Sequence, residues 1–155
     1  MRAFVTSWID SCNALLFRLH NFLIQYVLNS ATHVIARSRK FDHITLLLIE
    51  LHWLPVEQRI IFKILFCTFK VVKGLAPSYL SELLEAYVPM RMLRSSTQLH
   101  LLEPKFNLKP YGSHAFSVCA PRLWNSLPLE IRKCDSIDTF KRKLKTHLFR
   151  RSYFC

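Results

Sequence analysis

The longest apolar run lies between Val56 and Val72, and the other patterned segments are arranged around it. Ile60, Ile61, Ile64, Leu65, Cys67, Val71 and Val72 cover most of a helical circumference. Arg59, Lys63 and Lys70 share one narrow stripe between them. A helix this apolar is buried on several sides. Pro55 fits its first position, where the missing N–H costs nothing, and Glu57 in the first turn suits the helix dipole. Gly74 supplies a left-handed residue to end it, and Pro77 restarts a helix. This stretch is expected to be the central post of a helical domain.

Upstream, residues 3–18 read as a first helix, with Phe4, Trp8, Cys12, Leu15, Leu16 and Leu19 at helical spacing. After a break at His20-Asn21, residues 22–38 read as a second, with Leu23, Tyr26, Val27, Val34 and Ile35 as apolar positions. Both are rich in aromatic and β-branched residues, so packing rather than propensity must hold them. Asp42 is placed to cap a third helix, Ile44 to Glu50. Beyond the central helix a fifth is expected over Ser78 to Tyr87, with Leu80, Leu83, Leu84 and Tyr87 facing inward.

The pattern changes at Pro89. Residues 89–118 contain Pro89, Pro104, Pro110 and Gly112 and lose the helical period. Leu99-His100-Leu101-Leu102 and Ala115-Phe116-Ser117-Val118 are short enough to be strands of a hairpin, with Tyr111-Gly112 as a turn. Pro121 to Asn125 and Leu129 to Lys133 each read as one helical turn. Ser136 is a good N-cap with Asp138 in the first turn, and a last helix runs to about Arg151. Its seam, Ile137, Phe140, Leu144 and Leu148, fits an arc of about 80°. The fold class is therefore mainly α: one bundle-like domain, 1–155, with a small irregular or β-hairpin insertion around residues 95–120. Its parts are a helical 1–88, an irregular 89–121 and a basic helical 122–155.

Composition narrows the chemistry. With 155 residues and 51% hydrophobic content, a real core is possible and wholesale disorder is not expected. Only two glycines leave no material for a Gly-rich nucleotide loop. Five cysteines without a C-x-x-C pair fit a reducing compartment, nuclear or cytoplasmic. Asp10 interrupts the apolar run after Arg2, so no secretory signal is expected, and no apolar run is long enough for a spanning helix. The seven histidines make no zinc pattern; His114 and Cys119 are the nearest pair and read as chance, and His52 reads as a helix-junction residue. Glu82 and Glu85 read as solvated rather than as an acid–base pair. No cofactor or metal is expected.

Charge does change the picture. The net charge is +12, and residues 122–155 hold nine Lys+Arg against three Asp+Glu, half of the excess. An RNA or DNA backbone is the usual partner of such a chain. Arg142, Lys143, Lys145 and Arg150 are the leading contact candidates. Arg37, Arg39 and Lys40 follow, although compensation of a helix C-terminus explains that cluster as well. Trp53, Trp124, Phe62, Phe66 and Phe140 read as core before they read as base-stacking surfaces. Rival readings are a basic surface with no specific partner, and a protein-interaction or structural module without a nucleic-acid role. Others are a membrane-surface role for residues 136–151, and no selected function at all.

One resemblance runs through most of the chain. Leu51-His52-Trp53-Leu54-Pro55-Val56, then Gly74-Leu75-Ala76-Pro77-Ser78-Tyr79-Leu80, resemble the C-terminal region of non-LTR (LINE-type, jockey-like) retrotransposon reverse transcriptases. Leu93-Arg94-Ser95-Ser96, Tyr111-Gly112, Ala115-Phe116-Ser117 and Ala120-Pro121-Arg122-Leu123-Trp124-Asn125-Ser126-Leu127-Pro128 are similar to the same family. So are Phe140-Lys141, Leu144-Lys145 and Leu148-Phe149, and more loosely Asp10 to Leu16 and Arg37 to Ile44. Between the first two helices the family would carry a Pro- or Gly-containing turn, where His20-Asn21 stands here. The resemblance implies a post-palm, thumb-side helical region that helps hold template and growing strand. Polymerisation needs paired aspartates for two metal ions, and the sequence contains no Asp-Asp. The expectation is a non-catalytic fragment with residual nucleic-acid affinity, its framework resting on Trp53, Pro55, Gly74, Pro77, Trp124 and Phe140.

Overall fold

Prolines and left-handed residues set where the helices of this chain begin and end. The computed structural model describes residues 22–39, 42–88, 99–104 and 115–154. Among them run α1 (Phe22–Ala36), α2 (Ile44–Glu50), α3 (Val56–Val72), α4 (Ser78–Ser81), α5 (Phe116–Asn125), α6 (Leu129–Arg132) and α7 (Ile137–Tyr153). The chain is mainly helical, as the periodicity predicts. Lys40, the expected helix over residues 3–18 and the Tyr111-Gly112 turn lie outside the described residues.

Pro77 and Pro128 stand immediately before α4 and α6 with extended ψ of 150° and 143°. Pro55 stands before α3, and its carbonyl accepts the Arg59 N–H at 3.0 Å. The Pro77 carbonyl likewise accepts from the Leu80 and Ser81 N–H groups, and the Pro128 carbonyl from those of Ile131 and Arg132. Pro55 thus sits one residue outside the first helical position expected for it, and Pro77 stands just before the helix it is expected to restart. The fixed ring φ suits an N-cap residue, whose carbonyl already joins the helix, as well as it suits the first turn.

Three helices end in one way. After α3 the Leu75 N–H reaches Lys70 O at 2.8 Å and the Gly74 N–H reaches Val71 O at 3.0 Å, with Gly74 at φ +68°. After α1 the same pair runs from Ser38 to His33 and from Arg37 to Val34, with Arg37 at φ 51°. After α2 it runs from Trp53 to Leu48 and from His52 to Ile49, with His52 at φ 54°. These are Schellman caps, and only one places glycine at the left-handed position. Asp42 does not cap α2. Its carboxylate accepts the Arg39 N–H at 2.7 Å, and His43 precedes α2 with no side-chain cap.

The chain divides into two compact units, Met1–Lys63 with Lys145–Cys155, and Ile64–Leu144. In the first, Leu28, Leu48, Trp53, Leu54, Val56, Ile60, Ile61 and Leu148 are buried. Gln25 of α1 accepts the Val56 N–H at 2.9 Å, capping α3 where Pro55 has no side-chain oxygen to offer. The Tyr153 hydroxyl donates to Trp53 O at 2.7 Å, and the His52 ring stacks on Phe149 with centroids 5.8 Å apart. The apolar positions of α1 mostly do not face the core. The helix buries Leu28 and Thr32, while Leu23, Tyr26, Val27 and Val34 are exposed. Thr32 tolerates burial because its hydroxyl bonds back to Leu28 O at 2.7 Å, so a narrower stripe than the apolar one packs inward.

In the second unit Phe69 and Phe140 stack with centroids 4.1 Å apart and planes 16° apart, and Trp124 lies 6.1 Å from Phe140. All three rings are fully buried. The Trp124 indole N–H donates to Leu99 O at 2.8 Å. Residues 116–118, read as part of a strand, form the first turn of α5, which is longer than the single turn expected from Pro121. Pro121 is buried inside it and forfeits only the bond to the Ser117 carbonyl, so it hides the helix from a sequence pattern without breaking it. The helix expected over Ser78 to Tyr87 stops at Ser81. Leu84 is buried, but Leu83 and Tyr87 are exposed. Residues 85–87 instead pair with residues 100–102 around an antiparallel Ala86–Leu101 bridge, through Tyr87 N–H to His100 O and Leu102 N–H to Glu85 O. Among the described residues this bridge is the whole of the β structure.

The caps predict a pair of opposite effects. A Cβ at Gly74 meets nothing within 4 Å, so Gly74→Ala carries only the left-handed penalty, roughly 1–2 kcal/mol of destabilisation. Arg37→Gly removes the same penalty and should stabilise by about 1 kcal/mol. Urea titration of both variants checks the sign and size.

Candidate nucleic-acid interface

Helix α7 carries six Lys and Arg residues against one aspartate, and all six cations are exposed. Its register follows from its apolar seam. Phe140, Leu144 and Leu148 are buried, so the residues between them turn outward. At 100° per residue Lys141, Lys145 and Arg142 fall on one side of the helix, within about 100° of each other. Lys143 and Arg150 fall together on another side. The four leading candidates are therefore exposed but split, and Lys141 joins Arg142 and Lys145. The solvent side narrows toward the C-terminus, where Phe149 and Tyr153 are partly buried and meet edge to face at 4.8 Å. Burial, with Arg151 beside it, holds His147 below the usual histidine range, so it adds no charge at neutral pH.

Asp138 reaches Lys141 at 3.9 Å across one turn, and its carboxylate is 93% exposed. Such a pair contributes about 0.3–0.5 kcal/mol and is screened by salt. Within the second unit Lys141 also lies over the Phe66 ring at 5.0 Å, and Lys70 of α3 lies over the same ring at 4.8 Å. Two ammonium groups thus converge on one half-buried aromatic ring. The sequence holds no simple signal for this pair, because Lys70 and Lys141 stand on helices far apart along the chain.

Other basic residues are occupied differently. Lys73 binds Asp135 at 2.7 Å, and that hydrogen bond and charge hold the Asp135 carboxyl below its usual range. Arg132 is buried. Burial lowers its pKa, and its guanidinium meets His100 Nδ1 at 3.1 Å, where the imidazole nitrogen must accept. In the first unit Arg37 and Arg39 are exposed, and Arg37 lines an open groove of 740 Å³ with Tyr26, His33, Ser38 and Asp42. Asp42 supplies a carboxylate within that cluster, which makes it a weaker seat for phosphate than α7.

The framework residues take core and capping roles. Trp53, Trp124 and Phe140 are buried, while Phe62 and Phe66 are only partly so. His52 occupies a helix junction in the left-handed region, as its position suggests. Among the described residues no three His, Cys, Asp or Glu gather to hold a metal ion, and no helix is long and apolar enough to cross a membrane. No family model, curated protein or solved structure matches the chain.

Burial pushes the Cys119 thiol up to about 11 from 9.0. Near pH 8 its thiolate is about a hundredfold scarcer than at an ordinary thiol. Iodoacetamide should therefore label partly exposed Cys67 in the native protein and spare Cys119, with urea abolishing the contrast. The folded thiol keeps its proton between pH 9.0 and about 11, where the unfolded one has lost it, so this group costs stability as pH rises through that window. Peptide mass mapping of labelled cysteines reads the first effect, and urea melts against pH the second.

Proposed function

We propose that the chain is a non-catalytic module that binds RNA or DNA through backbone phosphates, with α7 as its main contact surface. The single observation that carries this is the exposed cationic side of α7, Lys141, Arg142 and Lys145, with one weakly paired aspartate beside it. From Lys141 to Arg151 the helix extends about 15 Å, enough to run beside several phosphates of a strand. Lys70 and Lys141, over one ring, add two positive charges near the start of this surface. The resemblance to the thumb-side region of non-LTR retrotransposon reverse transcriptases supports the same partner. Nothing in such a surface reads base identity, so the binding is to backbone rather than to sequence.

Salt titration tests this. Each phosphate contact contributes about 0.9 to the slope of log affinity against log salt for duplex DNA, and about 0.7 for a single strand. Replacing Lys141, Arg142 and Lys145 with Ala should weaken binding and flatten the slope by up to roughly three contacts' worth. Stability should move little, since surface changes usually stay within about 0.5 kcal/mol each. Phe140→Ala should instead lower stability by roughly 3–5 kcal/mol. An unchanged slope in a folded triple variant would remove α7 as the contact surface. No salt-dependent binding by the parent chain would favour a protein-interaction module. Primer extension with magnesium or manganese should stay at background.

A further inference from the structure

Phe66 brings a second helix of its unit to the cationic side of α7. It stands half-buried on α3, with Lys70 one turn further along the same side. Lys70 Nζ lies 4.8 Å from the ring centroid, and Lys141 Nζ, from α7, lies 5.0 Å from it. Both nitrogens thus sit within 5.0 Å of one point. The next lysine of the chain is used differently, because Lys73 meets the Asp135 carboxylate at 2.7 Å. Among the described residues no carboxylate pairs with Lys70, and Lys141 meets only the exposed Asp138, at 3.9 Å.

We propose that Lys70 is a further phosphate contact and that Phe66 is a positioning residue acting through Lys70 and Lys141, so that a strand held on α7 also touches α3. This rests on the reading of α7 as the phosphate contact. An aromatic face attracts an ammonium group from one side. An ammonium carries three N–H donors, so those turned away from the ring still reach phosphate oxygens. A free lysine gives up much rotamer freedom when it is fixed on a ligand. A ring that already holds two lysines lowers that cost before binding begins. Two ammonium groups gathered around one point suit one phosphate between them, or two successive phosphates of one strand. With two cations over it, the half-buried ring is arranged to hold lysines rather than to stack a base.

Salt titrations of the full chain with a labelled single-stranded oligonucleotide, and with the duplex of the same sequence, test this. Lys70→Ala should flatten the slope of log affinity against log salt by one contact's worth, about 0.7 for the single strand and about 0.9 for the duplex. Lys133→Ala removes an equal charge from an exposed position after α6 and should leave the slope unchanged. Phe66→Leu keeps every charge and should weaken binding about two- to fivefold, the worth of an exposed ammonium–ring contact. Phe66→Tyr keeps the ring and should bind as the parent does. In a Lys70→Ala, Lys141→Ala background, Phe66→Leu should have no further effect, because the ring acts through those lysines. A further loss there would show the ring itself touching the nucleic acid, and it overturns the positioning role. A Lys70→Ala slope equal to the parent's overturns the proposal, and does so even where Phe66→Leu fails to fold. The α7 reading survives that result if the variant at Lys141, Arg142 and Lys145 still flattens its slope. A parent chain whose binding does not depend on salt overturns both.

Discussion

Phe140 is the ring on which the exposed cationic side of α7 depends. Stacked on Phe69 and beside Trp124, it fixes the rotation of α7 about its own axis. Burial of such a ring contributes about 1.5–3 kcal/mol, and each aromatic pair adds roughly 0.5–1.5 kcal/mol. With Phe140 inward, Leu144 and Leu148 must follow one and two turns later. Lys141, Arg142 and Lys145 are then turned out together. A rotation of one residue would bury a lysine in place of the ring, a far larger cost than any exposed ion pair could offset. The cationic surface is thus set by an apolar contact, and no charge needs to hold it in place.

Periodicity alone gave the long helices. The bounds of α2, α3 and α7 agree with the pattern to within a residue or two because each has a dense seam and an end signal, Gly74 being the plainest. It failed where another bond competed. Residues 85–87 look helical in composition but are drawn into pairing with residues 100–102. Residues 116–118 look like a strand because Pro121 obscures the helix that contains them. In α1 the pattern found the apolar positions, but most of them face away from the core. Which side of a helix packs inward depends on its neighbours, and Thr32 and Gln25 find partners that a hydropathy pattern does not register.

The candidate interface was legible in outline for the same reason. Arg142, Lys143, Lys145 and Arg150 are exposed, as an amphipathic helix requires. Their grouping was not legible until the seam fixed the rotation, and the convergence of Lys70 and Lys141 on Phe66 needs three-dimensional placement. Cations outnumber carboxylates on α7, so the helix carries internal repulsion that a polyanion reduces. Surfaces of this kind gain affinity and association rate from charge while leaving sequence discrimination to other parts.

Asn125 finishes the small β pairing in an unusual way. Residues 85–87 bond to His100 O and the Leu102 N–H, which occupies one edge of the 100–102 segment. On the opposite edge the Asn125 side chain accepts the Leu101 N–H at 3.0 Å and donates to Leu101 O at 2.9 Å. A single carboxamide therefore stands where the next strand would lie. Open strand edges recruit further strands, from partners or from misfolded copies. Here the Asn125 carboxamide takes up the outer bonds of Leu101, so a further strand cannot add along that edge of the 100–102 segment.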